Sequence, residues 1–165
     1  MPDVIADTSP IQYLHQVQLL ELLFTLYEEI SISEAVEKEL AEGRNFGVDL
    51  PDVRRMSRFH VRGAPLKQPL QFPRSLGEGE REVLAMASAS SDSLLIIDDA
   101  LARLHARQLG LRFTGTLGVL LKAKASNLLV AVRPILDQLE AKGFRLDKKT
   151  RAAVLNLALE EDNED

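Results

Sequence analysis

Two short, wholly apolar runs each stop at an acid. Val4-Ile5-Ala6 ends at Asp7, and Leu94-Leu95-Ile96-Ile97 ends at Asp98-Asp99. A stretch that is apolar at every position has no solvent face, so it suits a strand covered on both sides. Strands of that kind belong to parallel sheets with helices above and below. This narrows the chain to the α/β class before any residue is counted.

The segments between the runs agree. Thr8, Ser9 and Pro10 supply turn and capping chemistry, and Leu14, Leu19, Leu20, Leu22, Leu23 and Leu26 predict one long amphipathic helix from Ile11 to about Tyr27. Ile30-Ser31-Ile32 reads as a second strand. Ser33 can cap the helix after it, whose first turn holds Glu34 and Glu37 and which is expected to end near Gly43. Residues 44–76 carry Pro51, Pro65, Pro69 and Pro73 and no helical period, so an irregular connection is expected, with one strand at Phe59-His60-Val61. Gly77 and Gly79 open a helix from Glu80 to about Ala89. A helix from about Ala100 to Leu109, closed by Gly110, follows the second apolar run. Leu111 to Thr114 reads as a strand and Leu117 to Ser126 as a helix, with further helices near Arg133–Lys142 and Asp147–Leu159. This alternation predicts one domain over 1–159 with a mostly parallel sheet.

Charge sorts the remaining possibilities. Lys and Arg number 20 against 25 Asp and Glu, and five of those acids fall in the last six residues, so the body is neutral and residues 160–165 read as an acidic, disordered tail. A uniformly basic nucleic-acid binder is excluded, but a local patch is not. Without cysteine there are no disulfides, thiolate metal sites or thiol nucleophiles, and any metal must bind oxygen or histidine. The longest apolar runs reach about a third of a membrane span, and the N-terminus shows no basic, apolar leader; a cytoplasmic protein is expected.

Binding groups in open parallel sheets gather beyond the carboxyl ends of the strands. Asp7 and Asp98 end two strands. On the helix after Ser33, Glu39 adjoins the inward stripe of Val36 and Leu40. On the next helix, Glu80 shares the face of Val83, Leu84 and Ala87. Four such carboxylates at one rim would repel, at roughly 3 kcal/mol per pair. Protonation, pairing with Lys or Arg, or a bound cation would relieve this. All-oxygen ligands favour Mg²⁺ or Mn²⁺, which suits phosphodiester hydrolysis. Taken singly, Asp7 and Asp99 also read as helix caps, and Glu39 and Glu80 as surface residues at helix edges.

Rival chemistries fit less well. Asp7-Thr8-Ser9 is half of an aspartic-protease pair, running into a helix in a fold of the wrong class. A phosphoaspartate domain wants paired acids after its first strand, and here the pair falls late; its phosphatase form wants an acid where Ser9 stands. Gly77-Glu78-Gly79-Glu80 lacks the lysine of a phosphate loop. His15, His60 and His105 are too dispersed for a metal motif. Residues 44–74 hold seven basic residues, among them Arg54 and Arg55, against Asp49 and Asp52. That stretch reads as a solvated loop or as a basic flank holding an RNA backbone. Base stacking is secondary at 5% aromatics.

The ordered segments Val4 to Pro10, Glu34-Ala35-Val36 with Glu39-Leu40, Gly79 to Glu82, Leu94 to Asp99 with Ala102-Arg103, and Thr114 to Gly118 resemble the PIN domain, a metal-dependent ribonuclease fold. Within it, they are similar to a prokaryotic PIN-like family related to the virulence-associated C-type toxins. The resemblance implies a three-layer α/β/α sandwich whose Asp7, Glu39, Glu80 and Asp98 bind Mg²⁺ or Mn²⁺ and hydrolyse RNA. Asp99 would be an auxiliary metal ligand, and Ser9 would order a ligand or water. Arg103, one turn after Asp99, reads from its position as neutralising the acids, as touching phosphate, or as an ordinary surface arginine. Many PIN toxins carry Asp where Glu80 stands. The resemblance also implies a small antitoxin partner and a homodimer. A catalytically silent PIN-like module that binds protein or RNA is the alternative.

Overall fold

Both apolar runs form strands. The computed structural model describes residues 1–65 and 72–161. Its strands are β1 (Asp3–Ala6), β2 (Ile30–Ser33), β3 (Phe59–Arg62), β4 (Ser93–Ile96) and β5 (Arg112–Thr114). They lie in the order β3-β2-β1-β4-β5, and every neighbouring pair is parallel. β1 is therefore the middle strand. Val4, Ile5, Ala6, Leu95, Ile96 and Ile97 are buried around it, as unbroken apolar runs require.

Eight α-helices are described: α1 (Thr8–Gln16), α2 (Glu21–Tyr27), α3 (Glu34–Asn45), α4 (Glu78–Ala89), α5 (Ala100–Gln108), α6 (Thr116–Ala125), α7 (Arg133–Ala141) and α8 (Lys148–Leu157). The β1→β2 and β4→β5 connections move outward in opposite directions along the sheet. Right-handed crossovers consequently place their helices on opposite faces. α4 packs over β1, β2 and β4 beside α5, while α1, α2 and α6 pack together on the other side and α8 backs α6. The result is an α/β/α sandwich. α3 touches both α1 and α4, and Ser33 caps it by accepting the Val36 amide at 3.0 Å.

Three expectations need correction. The single leucine-rich helix is two helices. Gln18 takes φ 61°, the Gln18 amide donates to the His15 carbonyl and the Leu19 amide to the Leu14 carbonyl, a Schellman stop built without glycine. The 44–76 connection is also more ordered than expected. α3 runs on to Asn45, a 3₁₀ turn covers Val53–Arg55, and β3 forms where the one strand was predicted. Finally, Glu160 does not begin a loose tail. Its carboxylate accepts the Val132 and Arg133 amides at 2.8 and 3.1 Å and pairs with Lys124 at 2.9 Å. Residues 66–71 of that connection, including Lys67 and Pro69, and 162–165 of the tail lie outside the described residues.

Candidate functional site

In register, Ala6 of β1 stands beside Ile96 of β4, and the Asp7 amide donates to the Ile96 carbonyl at 3.0 Å. Asp7 and Asp98 therefore emerge at the same rim. The chain winds from β1 outward through β2 and β3, then returns past β1 to β4 and β5. The gap between β1 and β4 is the topological switch point, where open α/β sheets form their binding crevice.

Two helix contacts bring the glutamates to that gap. Glu39 accepts the Thr8 hydroxyl at 2.5 Å and the Gly79 amide at 3.2 Å, which fastens α3 to the starts of α1 and α4. Glu82 accepts the Ala35 amide at 2.8 Å and ties α4 to the first turn of α3, where an anion is favoured. Glu80 turns back to accept the Gly77 amide and is half-buried. Asp98 accepts both the amide and the hydroxyl of Thr116, at 2.8 and 2.6 Å. The backbone is pressed against two of these acids. A Cβ on Gly79 would stand 2.7 Å from a Glu39 oxygen, and one on Gly115 would stand 2.7 Å from Asp98 Oδ1 and 3.3 Å from the Ile97 carbonyl. A side chain at either place would displace the carboxylate from its present position.

Asp7 carries the electrostatic signature. It occupies the N-cap position of α1 but makes no capping bond through its side chain, and it is only 4% exposed. Its carboxyl is raised to about 8, chiefly by burial. The Thr8 amide pulls the other way, and the charges of Glu80, Glu39 and Asp98 add to the rise. Glu80 is raised too, first by burial and then by Asp99 and Glu39, against the Gly77 amide and Arg81. Asp98 is raised by burial, opposed by Thr116 and by Arg103. The four acids read from the sequence thus share one electrostatic neighbourhood.

Among the described residues, no three Asp, Glu or His side chains already stand at ligating spacing, and Glu39, Glu80 and Asp98 are each turned toward donors of the protein. The donor set is nevertheless all oxygen, and Asp7 has no cationic partner within ion-pair distance among the described residues. That chemistry fits a hard divalent cation such as Mg²⁺ or Mn²⁺.

The flanking residues divide. Asp99 caps α5 by accepting the Ala102 amide at 2.8 Å. Ser9 is half-buried in the first turn of α1. Arg103 reaches the rim near Gly115 and Asp98. Arg54 and Arg55 are not brought there. Arg54 pairs with Glu37, which lies two positions from Glu39 and so on another face of α3, and Arg55 pairs with Asp52 at 3.4 Å. Arg44 also pairs with Asp52, at 3.1 Å, and Arg62 with Asp3, at 2.6 Å. Much of the basic stretch is neutralised by the protein itself.

Sequence reasoning missed Thr8, Thr116 and Glu82, and read Gly79 and Gly115 only as helix openers. Their signal was adjacency: Thr8 follows Asp7, Gly79 precedes Glu80, and Gly115-Thr116 follows a strand.

No curated protein matches the chain. A family model described as a PIN domain matches residues 3–160. That match spans nearly the whole chain, and the structure sets four acids at the switch point of an all-parallel sheet; the chain belongs to the PIN-domain family.

Proposed function

We propose that this protein is a metal-dependent endoribonuclease whose Asp7, Glu39, Glu80 and Asp98 hold Mg²⁺ or Mn²⁺ and hydrolyse RNA phosphodiesters. The observation that carries the reading is Asp7, a buried carboxyl surrounded by three further acids drawn from α3, α4 and the end of β4. Bound there, a divalent ion supplies activation of water and stabilisation of the leaving oxygen. Asp7, Glu39, Glu80 and Asp98 would hold the ion through their carboxylate oxygens, with Asp98 oriented by Thr116 and Glu39 by Thr8 and Gly79. The wider resemblance supports the toxin half of a toxin–antitoxin pair in the cytoplasm, with a small antitoxin partner and a homodimeric assembly. Among the described residues no helix is long and apolar enough to cross a membrane.

The deciding experiment is cleavage of generic RNA by purified protein with Mn²⁺, with chelator, and with Asp7→Asn. Cleavage that needs metal and disappears in the variant supports the enzyme. Equal behaviour of wild type and variant, indifferent to metal, favours a catalytically silent module that binds protein or RNA. The acids' engagement with the protein's own donors is the one observation on that side.

A further inference from the structure

α5 carries two cations that form no ion pair among the described residues, although Arg103 stands near enough to Asp98 to oppose its rise. Arg103 and Arg107 are one turn apart, so they share a helix face, and both lean on the ring of Phe113 in β5. Their guanidinium carbons lie 5.2 and 5.5 Å from its centroid. What sets them apart is their shared ring and their place beside the rim. Like charges at this spacing destabilise a helix, and the face of the ring offsets only part of that. An anion would complete the arrangement.

Position says which anion. The Cβ that would touch Asp98 from Gly115 would also lie 3.9 Å from Nη1 of Arg103, so this guanidinium borders the acidic rim. Arg103 is half-buried and Arg107 exposed, which makes a path from the rim to the surface. Four residues of helix rise about 6 Å, close to the span between neighbouring phosphates of an extended strand. Phe113 is already engaged by two guanidiniums and only half-exposed, so it is poorly placed to stack a base. The contact is with backbone, not sequence.

We propose that Arg103 and Arg107, braced on Phe113, bind consecutive phosphates of single-stranded RNA and lead its backbone to the acidic rim, with Arg103 nearer the bond to be cut. This rests on the nuclease reading of that rim, and the test keeps the two apart.

The full-length protein is titrated in chelator with a short fluorescein-labelled single-stranded RNA of mixed sequence, and anisotropy is followed across a range of salt. Chelator removes cleavage from the readout. Arg103→Gln and Arg107→Gln should each weaken binding about 3- to 10-fold and lower the slope of log K against log salt by about 0.7. Phe113→Leu keeps both charges and should keep the slope. Circular dichroism checks folding, and the exposed Arg107→Gln keeps the test open should Arg103→Gln misfold. Wild-type affinity and slope in Arg107→Gln, or no binding by the wild type at low salt, overturns the proposal. Loss of slope in the variants beside a wild type that never cleaves RNA with Mn²⁺ overturns the nuclease reading and leaves the phosphate path standing.

Discussion

A buried carboxyl makes a protein's stability depend on pH in a direction set by its shift. Asp7 ordinarily titrates at 3.8 and is raised to about 8 in the folded chain. Below pH 3.8 both states hold the proton. Between about 4 and 8 the unfolded chain ionises while the folded one resists, so the metal-free protein loses stability as pH rises through that window and levels off above it. Asp7→Asn removes this contribution. In urea melts with chelator, the variant should be more stable than wild type by about a few kcal/mol near pH 8, and the gap should close toward pH 4. Equal curves at both ends would show that Asp7 is not held in its neutral form. At this scale the sequence disclosed much, because an acid at the end of an apolar strand has few places to go. The hydroxyls of Thr8 and Thr116 stayed hidden. Threonine is ordinary at a helix start, and nothing local tells which carboxylate it will meet from 31 or 18 residues away.

Helix ends were legible where the chain uses familiar chemistry and silent where it does not. Ser33, Asp99 and Asp147 all cap as their residue types lead one to expect. The break between α1 and α2 was unreadable because Gln18 enters the left-handed region without being glycine or asparagine, while the leucines continue on either side. Asp99 allows its two sequence readings to be separated. Asn caps almost as well as Asp but is a weaker ligand for a hard cation. Asp99→Asn should keep both stability and Mn²⁺ affinity, whereas Asp99→Ala should lose about 1 kcal/mol of stability. Calorimetric titration with Mn²⁺ checks this, and a sharp fall in affinity for Asp99→Asn would make Asp99 a ligand.

Across the whole molecule, β alternating with α dictated the class, and right-handed crossovers left few ways to order five strands. What could not be read was how distant charges would be settled. The basic stretch after α3 found Glu37, Asp52 and Asp3, and Glu160 found the junction before α7. Composition counts charges but does not pair them. Glu160 titrates below its usual value because the Val132 and Arg133 amides and Lys124 outweigh the cost of its burial. A lowered value means a contribution present above pH 4.5 and lost as acid passes the folded value. Glu160→Ala should therefore lower Tm by about 3–8 °C near neutral pH and by less in acid, as differential scanning calorimetry would record.

Because β1 lies between β2 and β4, the first strand made is among the last to be enclosed. Asp7 leaves the ribosome early, yet the segments that surround it arrive at positions 39, 80 and 98, and Thr116, which steadies Asp98, later still. A growing or truncated chain that stops short of α6 holds all four acids but lacks the Thr116 amide and hydroxyl that fix Asp98. The proposed site is therefore complete only when synthesis of the domain is nearly done.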